Sequence, residues 1–229
     1  MRLHRYIAQC GVCSRRKAEE LIVDGRVTVN GEIVTTLGTK IEEGDEVRVD
    51  GRPIEPERLI YLAMYKPKGV VTTMADERGR RTVSHLLPRL PSVVKPVGRL
   101  DKDTDGLLLF TNDGELARRL THPSHGTEKE YEATVQGEPD DRAVEKLRTG
   151  VRIEGRKTRP ARVDRIGRNK LRLVLKEGWK RQVRVMCEAV GHPVVELRRV
   201  RFGPIRLGTM KPGESRPLTQ SEVDKLQSE

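Results

Sequence analysis

Hydrophobic residues recur at helical spacing near the start of the chain. The segments 2–10 (RLHRYIAQC) and 14–24 (SRRKAEELIVD) are predicted to form two short helices. Ser14 suits the N-cap of the second helix, and Gly25 suits the position just after its C-terminus.

Short strands are predicted next. RVTV and EIV flank the pair Asn30-Gly31, and EVRVDGRPI adds a further strand and turn. Asn-Gly favours the type I′ turn of a β-hairpin, because both of its central residues have positive φ. We therefore predict a small α/β module over residues 1–55, which ends where the chain becomes rich in turn-forming and charged residues.

From residue 60 onward the strand-like and helix-like patterns mix without a regular strand–helix–strand rhythm. Strands are predicted over 59–65, 106–111, 129–136 and twice within 161–175, and helices over 114–121, 140–149 and 180–190. In the last helix the apolar residues Val183, Met186, Cys187 and Val190 share one face. We predict an α+β protein in which residues 60–229 form a mixed, mostly antiparallel sheet with flanking helices.

The net charge is strongly basic and unevenly spread. The 229 residues include 45 Lys and Arg against 34 Asp and Glu, a net charge of +11. Residues 1–52 hold nine basic and nine acidic residues, whereas residues 152–216 hold nineteen basic and six acidic ones. An excess of this size favours a polyanionic partner and predicts a nucleic acid.

Other features concern the compartment. No stretch approaches the apolar length of a membrane span, and the opening MRLHRYIAQCG lacks the pattern of a secretory signal. The three cysteines cannot all pair, so a disulfide framework is not expected. These features predict a cytoplasmic protein without a membrane partner.

The segment 98–114, GRLDKDTDGLLLFTNDG, places Asp101, Asp103 and Asp105 at the spacing of a calcium loop. Such a loop needs an acidic ligand at its twelfth position, where this chain has Asn112. Cys10 and Cys13 form only half of a zinc ligand set. We therefore predict no metal site.

The same segment resembles the signature GRLDxxTxGLLLxTNDG of the RsuA/RluB-type ribosomal RNA pseudouridine synthases, and every fixed position is present. Three more blocks occur in the order of that family: YKPKGVVTT (65–73), EKEYEATV (128–135) and EGWKRQVRVMCEAVGHPVVELRRVRFGPI (177–205). The first sixty residues resemble the RNA-binding module of ribosomal protein S-four. The chain departs from the family pattern at Lys180, where Asn is usual, and at Val185, where Arg is often repeated.

The resemblance implies an enzyme that breaks the bond between ribose and uracil, turns the base and rejoins it through carbon 5. This isomerisation needs no redox partner, so no cofactor is expected. The resemblance assigns the essential carboxylate to Asp101, which either attacks the sugar or stabilises a cation-like intermediate. Asp103 and Asp105 are predicted to be exposed carboxylates at the tip of the loop.

Two further catalytic residues are implied by the family. A buried carboxylate needs a positive neighbour to stay ionised, and Arg184 is the expected ion-pair partner of Asp101. Tyr131 is expected to stack on the uracil and to act as the base that moves a ribose proton. Lys129 and Glu130 beside it are predicted to point away, which leaves the tyrosine one face of its strand.

RNA binding requires cationic side chains that hold the backbone while the target base is flipped out. In the N-terminal module Arg15, Arg16 and Lys17 open a helix, where main-chain amides also suit phosphates. The complete predicted RNA-binding set comprises Arg2, Arg5, Arg15, Arg16, Lys17, Arg26, Arg99, Lys180 and Arg181.

Two alternatives remain at this point. A non-catalytic rRNA-binding assembly factor would not need the set Asp101, Tyr131 and Arg184. A DNA-binding regulator with residues 2–24 as a helix-turn-helix would need base-reading side chains, but SRRKAEEL offers mostly charge. We therefore expect a monomeric enzyme that acts on ribosomal RNA, with 23S rRNA or a pre-ribosomal particle as its substrate.

Overall fold

The computed structural model describes residues 1–153 and 155–229, and the chain divides into two compact units. The N-terminal unit comprises residues 1–60 together with 90–93. The C-terminal unit comprises residues 61–89 and 94–229. Among the described residues, no helix has the length and apolar character needed to cross a membrane.

The N-terminal unit contains two helices and a four-stranded antiparallel sheet. The helices are α1 (Leu3–Gln9) and α2 (Arg15–Val23), and the strands are β1 (Val27–Val29), β2 (Glu32–Ile33), β3 (Val47–Val49) and β4 (Arg52–Pro53), in the order β2-β1-β3-β4. Both helices pack their apolar faces on this sheet, and the shared core includes Leu3, Ile7, Leu21, Ile22, Val27 and Val47.

Local signals explain the boundaries of these elements. The Ser14 hydroxyl accepts a hydrogen bond from the Lys17 amide at 3.2 Å, so it caps α2 as predicted. Gly25 follows the helix with φ of +69°. Asn30 and Gly31 both have positive φ, +52° and +87°, which confirms the type I′ hairpin between β1 and β2.

The described part of the C-terminal unit is built from strands and four helices. Its strands are β5 (Tyr61–Lys66), β6 (Lys95–Val97), β7 (Asp105–Thr111), β8 (Lys129–Val135), β9 (Arg152–Ile153), β10 (Arg156–Lys157), β11 (Arg162–Gly167), β12 (Lys170–Leu175), β13 (Val194–Phe202), β14 (Ile205–Arg206) and β15 (Ser215–Pro217). Its helices are α3 (Gly114–Thr121), α4 (Asp141–Thr149), α5 (Gln182–Ala189) and α6 (Gln220–Gln227), with a 3₁₀ turn over Val83–Leu86.

One large sheet holds this unit together, in the order β11-β12-β8-β13-β7-β5-β15, with β14 on β13 and β6 on β7. All of these pairings are antiparallel except the one between β13 and β7. The structure confirms the predicted mostly antiparallel α+β fold. The prediction missed the nine-residue central strand β13 and the helix α6.

The apolar core lies in two clusters against this sheet. Helices α4 and α5 bury Val144, Leu147, Val183, Met186 and Cys187 against β8, β12 and β13. Helices α3 and α6 bury Leu116, Leu120 and Leu226 against β5 and β7. Strand β7 is buried over its whole length, as the continuous apolar run GLLLF requires.

Candidate active site

A cleft of about 720 Å³ opens in the C-terminal unit beside β8 and β13. This volume lies in the range of small-molecule sites in enzymes. The cleft brings together five predicted site residues: Arg99, Asp101, Tyr131, Lys180 and Arg181. It is also lined by Lys129, Trp179 and Arg199, which the sequence analysis did not single out as site residues.

Asp101 begins a tight turn that the YKPKGVVTT block holds in place. Thr72 Oγ1 donates to the Leu100 carbonyl at 2.7 Å, and the Leu100 amide donates back to the same hydroxyl at 3.3 Å. The Gly69 amide donates to the Lys102 carbonyl at 2.8 Å, and the Thr104 amide closes the turn on the Asp101 carbonyl at 3.1 Å. The half-buried Asp101 side chain is thus presented to the cleft from a backbone fixed on both sides.

Lys66 from the same block lies behind this turn. It is fully buried, and its ammonium donates to the carbonyls of Pro67 and Val70, each at 2.9 Å. Burial lowers the pKa of Lys66 to about 8, although the carboxylates of Asp105, Asp103 and Asp101 favour its charged form. A buried cation therefore lies behind the turn of residues 101–104, which is called the aspartate turn below.

Asp105 does not lie at an exposed loop tip, so that prediction is wrong. It is the first residue of β7 and is 7% exposed. Its carboxylate accepts hydrogen bonds from the Tyr65 hydroxyl at 2.9 Å and from Arg198 at 3.0 Å. Burial and this carboxylate together raise the pKa of Tyr65 to about 12. Strand β7 therefore begins at Asp105, one residue earlier than predicted, because Tyr65 and Arg198 compensate the buried carboxylate.

Arg184 lies on α5, as predicted, but it contacts a different aspartate. Its Nε lies 3.3 Å from Asp103 Oδ2, and its Nη2 donates to the Asp103 carbonyl at 3.0 Å. The predicted ion pair with Asp101 is therefore wrong. The physical reason is that Asp103 is the carboxylate that meets the start of α5, where Arg181 also contacts it at 3.3 Å.

Tyr131 lies on β8, and its strand neighbours do not both point away from the cleft. Lys129 shares its face, as the two-residue period of a strand requires, and lines the same cleft. Glu130 is buried and accepts a hydrogen bond from Arg201 at 2.8 Å. Burial lowers the pKa of Lys129 to about 8, and the charge of Arg199 adds to this effect.

Arg199 lines the cleft but was not among the site residues predicted from the sequence. It lies on β13 directly opposite Tyr131 in the antiparallel pairing and is 2% exposed. A signal was present, because Leu197 and Arg199 alternate in VVELRRVRF and therefore belong to one face of a strand. The four charged residues of that segment obscured the strand pattern.

The loop before α5 forms another wall of the cleft. Arg181 precedes the helix with φ of +54°, and the buried Gln182 side chain binds both the Trp179 amide and Glu177. Glu177 also accepts from the Arg159 amide at 3.0 Å. These bonds fix the loop and leave the exposed side chains of Lys180 and Arg181 at the cleft.

In the N-terminal unit the predicted RNA-binding cations differ in their surroundings. Arg2, Arg15 and Arg16 are exposed, and Arg5 is partly buried. Lys17 pairs with Glu20 at 2.6 Å, and Arg26 makes a bidentate pair with Asp50 at 2.6 and 2.7 Å. Lys17 and Arg26 therefore bring less net charge to an RNA than Arg15 and Arg16 do.

In the part of the chain that the structure describes, no group of three or more His, Cys, Asp or Glu side chains converges in a way that would hold a metal ion. Cys10, Cys13 and Cys187 are all free thiols.

Comparison with known proteins places this geometry in a family. The family model described as RNA pseudouridylate synthase matches residues 60–189, and the S4 domain model matches residues 1–47. Ribosomal large subunit pseudouridine synthase B of Bacillus subtilis (strain 168) is 43% identical, over 99% of this chain and 96% of that protein. An uncharacterized RNA pseudouridine synthase of Aquifex aeolicus (strain VF5) is 41% identical, over 99% and 93%.

A solved structure agrees with these matches. A crystal structure of a pseudouridylate synthase superposes with a TM-score of 0.73 at 32% identity and covers 99% of both chains. The matched residues include the aspartate turn, Tyr131 and the start of α5. The chain therefore belongs to the RNA pseudouridine synthase family, enzymes that isomerise uridine to pseudouridine in RNA.

Proposed function

We propose that this enzyme converts specific uridines of ribosomal RNA to pseudouridine, and that its substrate is 23S rRNA, free or in a pre-ribosomal particle. The observation that carries the reaction is that Asp101 and Tyr131 line one cleft of a size suited to a nucleoside. The choice of the large subunit is supported by the name of the Bacillus subtilis relative.

Asp101 supplies the carboxylate at the sugar. The turn that holds it is bonded on both sides by Thr72 and Gly69, so little reorganisation is needed when the nucleotide enters. Two routes fit this placement: attack of the carboxylate on the ribose, and stabilisation of a cation-like intermediate. In either route the glycosidic bond to nitrogen breaks and a bond from the same ribose carbon to carbon 5 forms, while carbon 5 loses a proton and the nitrogen gains one.

Arg184 supports this carboxylate indirectly. Its guanidinium holds the carboxylate and the main-chain carbonyl of Asp103, two residues beyond Asp101. It also donates to the Val194 carbonyl, which ties the turn to β13. The proposed role of Arg184 is therefore to fix the turn that presents Asp101 to the cleft.

Tyr131 stacks on the uracil and moves the ribose proton in this proposal. Arg99, Lys180 and Arg181 are exposed side chains at the cleft and are suited to the phosphates that flank the flipped nucleotide. Backbone contacts of this kind offset the unstacking free energy, which is a few kcal/mol.

The two units divide the work in this proposal. Residues 1–55 bind RNA through Arg15 and Arg16, with contributions from Arg2, Arg5, Lys17 and Arg26, and residues 60–229 catalyse the reaction. Within the described residues of the catalytic part, Arg152, Arg156, Lys157 and Arg159 are exposed, and their charged side-chain groups form no ion pair. This uncompensated charge supports a polyphosphate partner. We infer a monomer that works in the cytoplasm, where three free thiols are stable.

The test of this function is the variant Asp101→Asn with 23S rRNA as substrate. We expect pseudouridine formation to be abolished, while the RNA dissociation constant stays within a few-fold, because the amide keeps the shape of the side chain and removes its charge. Asp224→Asn on the exposed face of α6 is the matched control and should retain full turnover. Turnover by Asp101→Asn would refute the assignment, and inactivity of the unaltered enzyme on 23S rRNA would refute the substrate.

A further inference from the structure

Arg199 is an unusual residue to find in the middle of a sheet. It lies on the central strand β13, between β8 and β7, and only 2% of its surface is exposed. Its main chain passes so close to Gly106 of β7 that a Cβ on that glycine would lie 2.3 Å from the Arg199 carbonyl oxygen. The backbone of Arg199 is therefore fixed by the strands on both sides.

The guanidinium is held without a carboxylate. Its Nε donates to the Leu107 carbonyl at 2.8 Å, and its carbon lies 5.1 Å from the centre of the Phe202 ring. Among the described residues no acid lies within 4 Å of it, and Nη2 is buried with no hydrogen-bond partner. A buried cation without a counter-ion destabilises the fold, so its presence beside an active site indicates a functional role.

Tyr131, its partner in the antiparallel β8–β13 pairing, lies on the same face of the sheet as Arg199. Burial lowers the pKa of Arg199, and the charge and hydrogen bonding of Tyr131 oppose that effect. Arg199 lies in the wall of the cleft, but it is only 2% exposed and its Nη2 is closed to solvent. The neighbouring group through which Arg199 can act on the reaction is therefore Tyr131.

We propose that Arg199 is a positioning residue that stabilises Tyr131 as a phenolate, the form able to accept the ribose proton. The inference rests on the proposed function. The phenol proton is first released to solvent. The phenolate oxygen then takes a proton from the ribose as the glycosidic electron pair leaves on the uracil. The proton returns to the ribose when carbon 5 is joined. Carbon 5 then releases its own proton and nitrogen 1 takes one up, so hydrogen is conserved and no oxidant or reductant is needed.

Other charged groups also face Tyr131 in the cleft. Lys129 lies on the same strand, and the remaining elements contribute Arg99, Asp101, Glu177, Lys180 and Arg181. Arg199 differs from these cations because it is fully desolvated and its position is fixed. A guanidinium in such surroundings acts on a developing negative charge with little screening.

The experiment is the pH dependence of the single-turnover rate at saturating RNA, for the full chain and for Arg199→Gln and Arg199→Lys. We expect Arg199→Gln to lower the rate 30- to 100-fold at pH 7.5, to move the alkaline rise of the rate by about one pH unit upward, and to change the RNA dissociation constant less than threefold. Arg199→Lys, which keeps the charge, should recover most of the rate and most of the shift.

The matched control is Arg201→Gln on the same strand. Arg201 is also largely buried, but it pairs with Glu128 and Glu130 at 2.9 and 2.8 Å. The Arg201→Gln variant should therefore keep the midpoint of the pH–rate profile of the unaltered enzyme. A slow Arg199→Gln enzyme with an unmoved midpoint would show a structural role and overturn the inference, as would an unchanged rate. If Arg199→Gln does not fold, Arg199→Lys decides: a loss of rate of about 30-fold or more, or a midpoint raised by about one full pH unit although the charge is kept, overturns the inference. Failure of the proposed function is separate, because it would appear in the unaltered enzyme.

Discussion

At the scale of single residues, burial in and behind the cleft wall lowers the pKa of two lysines. The sequence around Lys66 and Lys129 does not indicate an altered pKa, yet burial lowers the pKa of each to about 8. Neither residue has a carboxylate partner within 4 Å among the described residues. Both cations are therefore held close to the aspartate turn and Tyr131 at some cost in folding stability.

The variant Lys129→Met tests this cost. Between about pH 8 and 10.5 the unfolded chain carries a proton on Lys129 that the folded chain lacks, so the free energy of unfolding of the unaltered protein rises with pH in that window. At pH 7 both states are protonated and the burial penalty is fully present. We expect the free energy of unfolding of Lys129→Met to exceed that of the unaltered protein by about 1–2 kcal/mol at pH 7. This difference should shrink towards pH 10.5.

Urea unfolding at pH 7 and at pH 10 measures this difference. The control is Lys146→Met on the exposed face of α4, where no pH-dependent difference is expected. A gain from Lys129→Met that is equal at both pH values would contradict the assigned pKa.

At the scale of elements, the close parallel pairing of β7 and β13 positions the site. It brings Asp105 opposite Arg198 and Gly106 opposite Arg199, and so connects the aspartate turn to the strand that faces Tyr131. The pairing requires a glycine at 106, where φ is +110° and no space remains for a side chain. The glycine in the signature GLLLFTNDG therefore has a packing role.

The variant Gly106→Ala should be severely destabilised because its Cβ would meet the Arg199 main chain at 2.3 Å. We expect a loss of about 4 kcal/mol or more in the free energy of unfolding, or insoluble protein. Gly208→Ala is the matched control, because Gly208 has φ of +60° with nothing within 4 Å of the added Cβ. Its loss should be about 1–2 kcal/mol from backbone strain alone. Thermal and urea denaturation compare the two, and equal losses would rule out the steric argument.

At the scale of the whole molecule, the basic composition suggests more cationic side chains available to RNA than the structure leaves unpaired. Many arginines of residues 152–216 are paired with carboxylates, including Arg165, Arg172, Arg201 and Arg216. Whether exposed or, like that of Arg201, largely buried, these pairs reduce the local field, and the exposed ones contribute little to stability. The unpaired cations are therefore the better guide to RNA contacts.

The N-terminal unit provides the test of this distinction. We expect Arg15→Gln with Arg16→Gln to weaken RNA binding about tenfold at low salt and to reduce the slope of log K against log salt by about 1–2. The rate at saturating RNA should not change. The comparison variant Arg26→Gln with Asp50→Asn removes a paired cation and its carboxylate together and leaves the net charge unchanged, so it should weaken RNA binding less than about threefold and keep the slope. RNA titrations at several salt concentrations measure this slope. An unaltered slope in Arg15→Gln with Arg16→Gln would argue against RNA binding by α2.

Much of this protein could be predicted from local patterns. The caps and the Asn30-Gly31 turn depend on neighbouring residues, and the buried run of β7 is visible in five consecutive letters, so these features and the α+β class were accessible without coordinates. The aspartate of the cleft was found because its signature is contiguous. Local physics acts over a few residues, and a single sequence records it directly.

The tertiary structure decided which distant residues meet. It pairs Arg184 with Asp103 and not with Asp101, it buries Asp105 between Tyr65 and Arg198, and it places Arg199 opposite Tyr131. These contacts join segments tens of residues apart, and they depend on strand order and register, which a charged strand such as β13 conceals. The chain alone therefore indicated the family, most of the elements and the aspartate that lines the cleft, while the register of the sheet determined which charged and polar residues surround it.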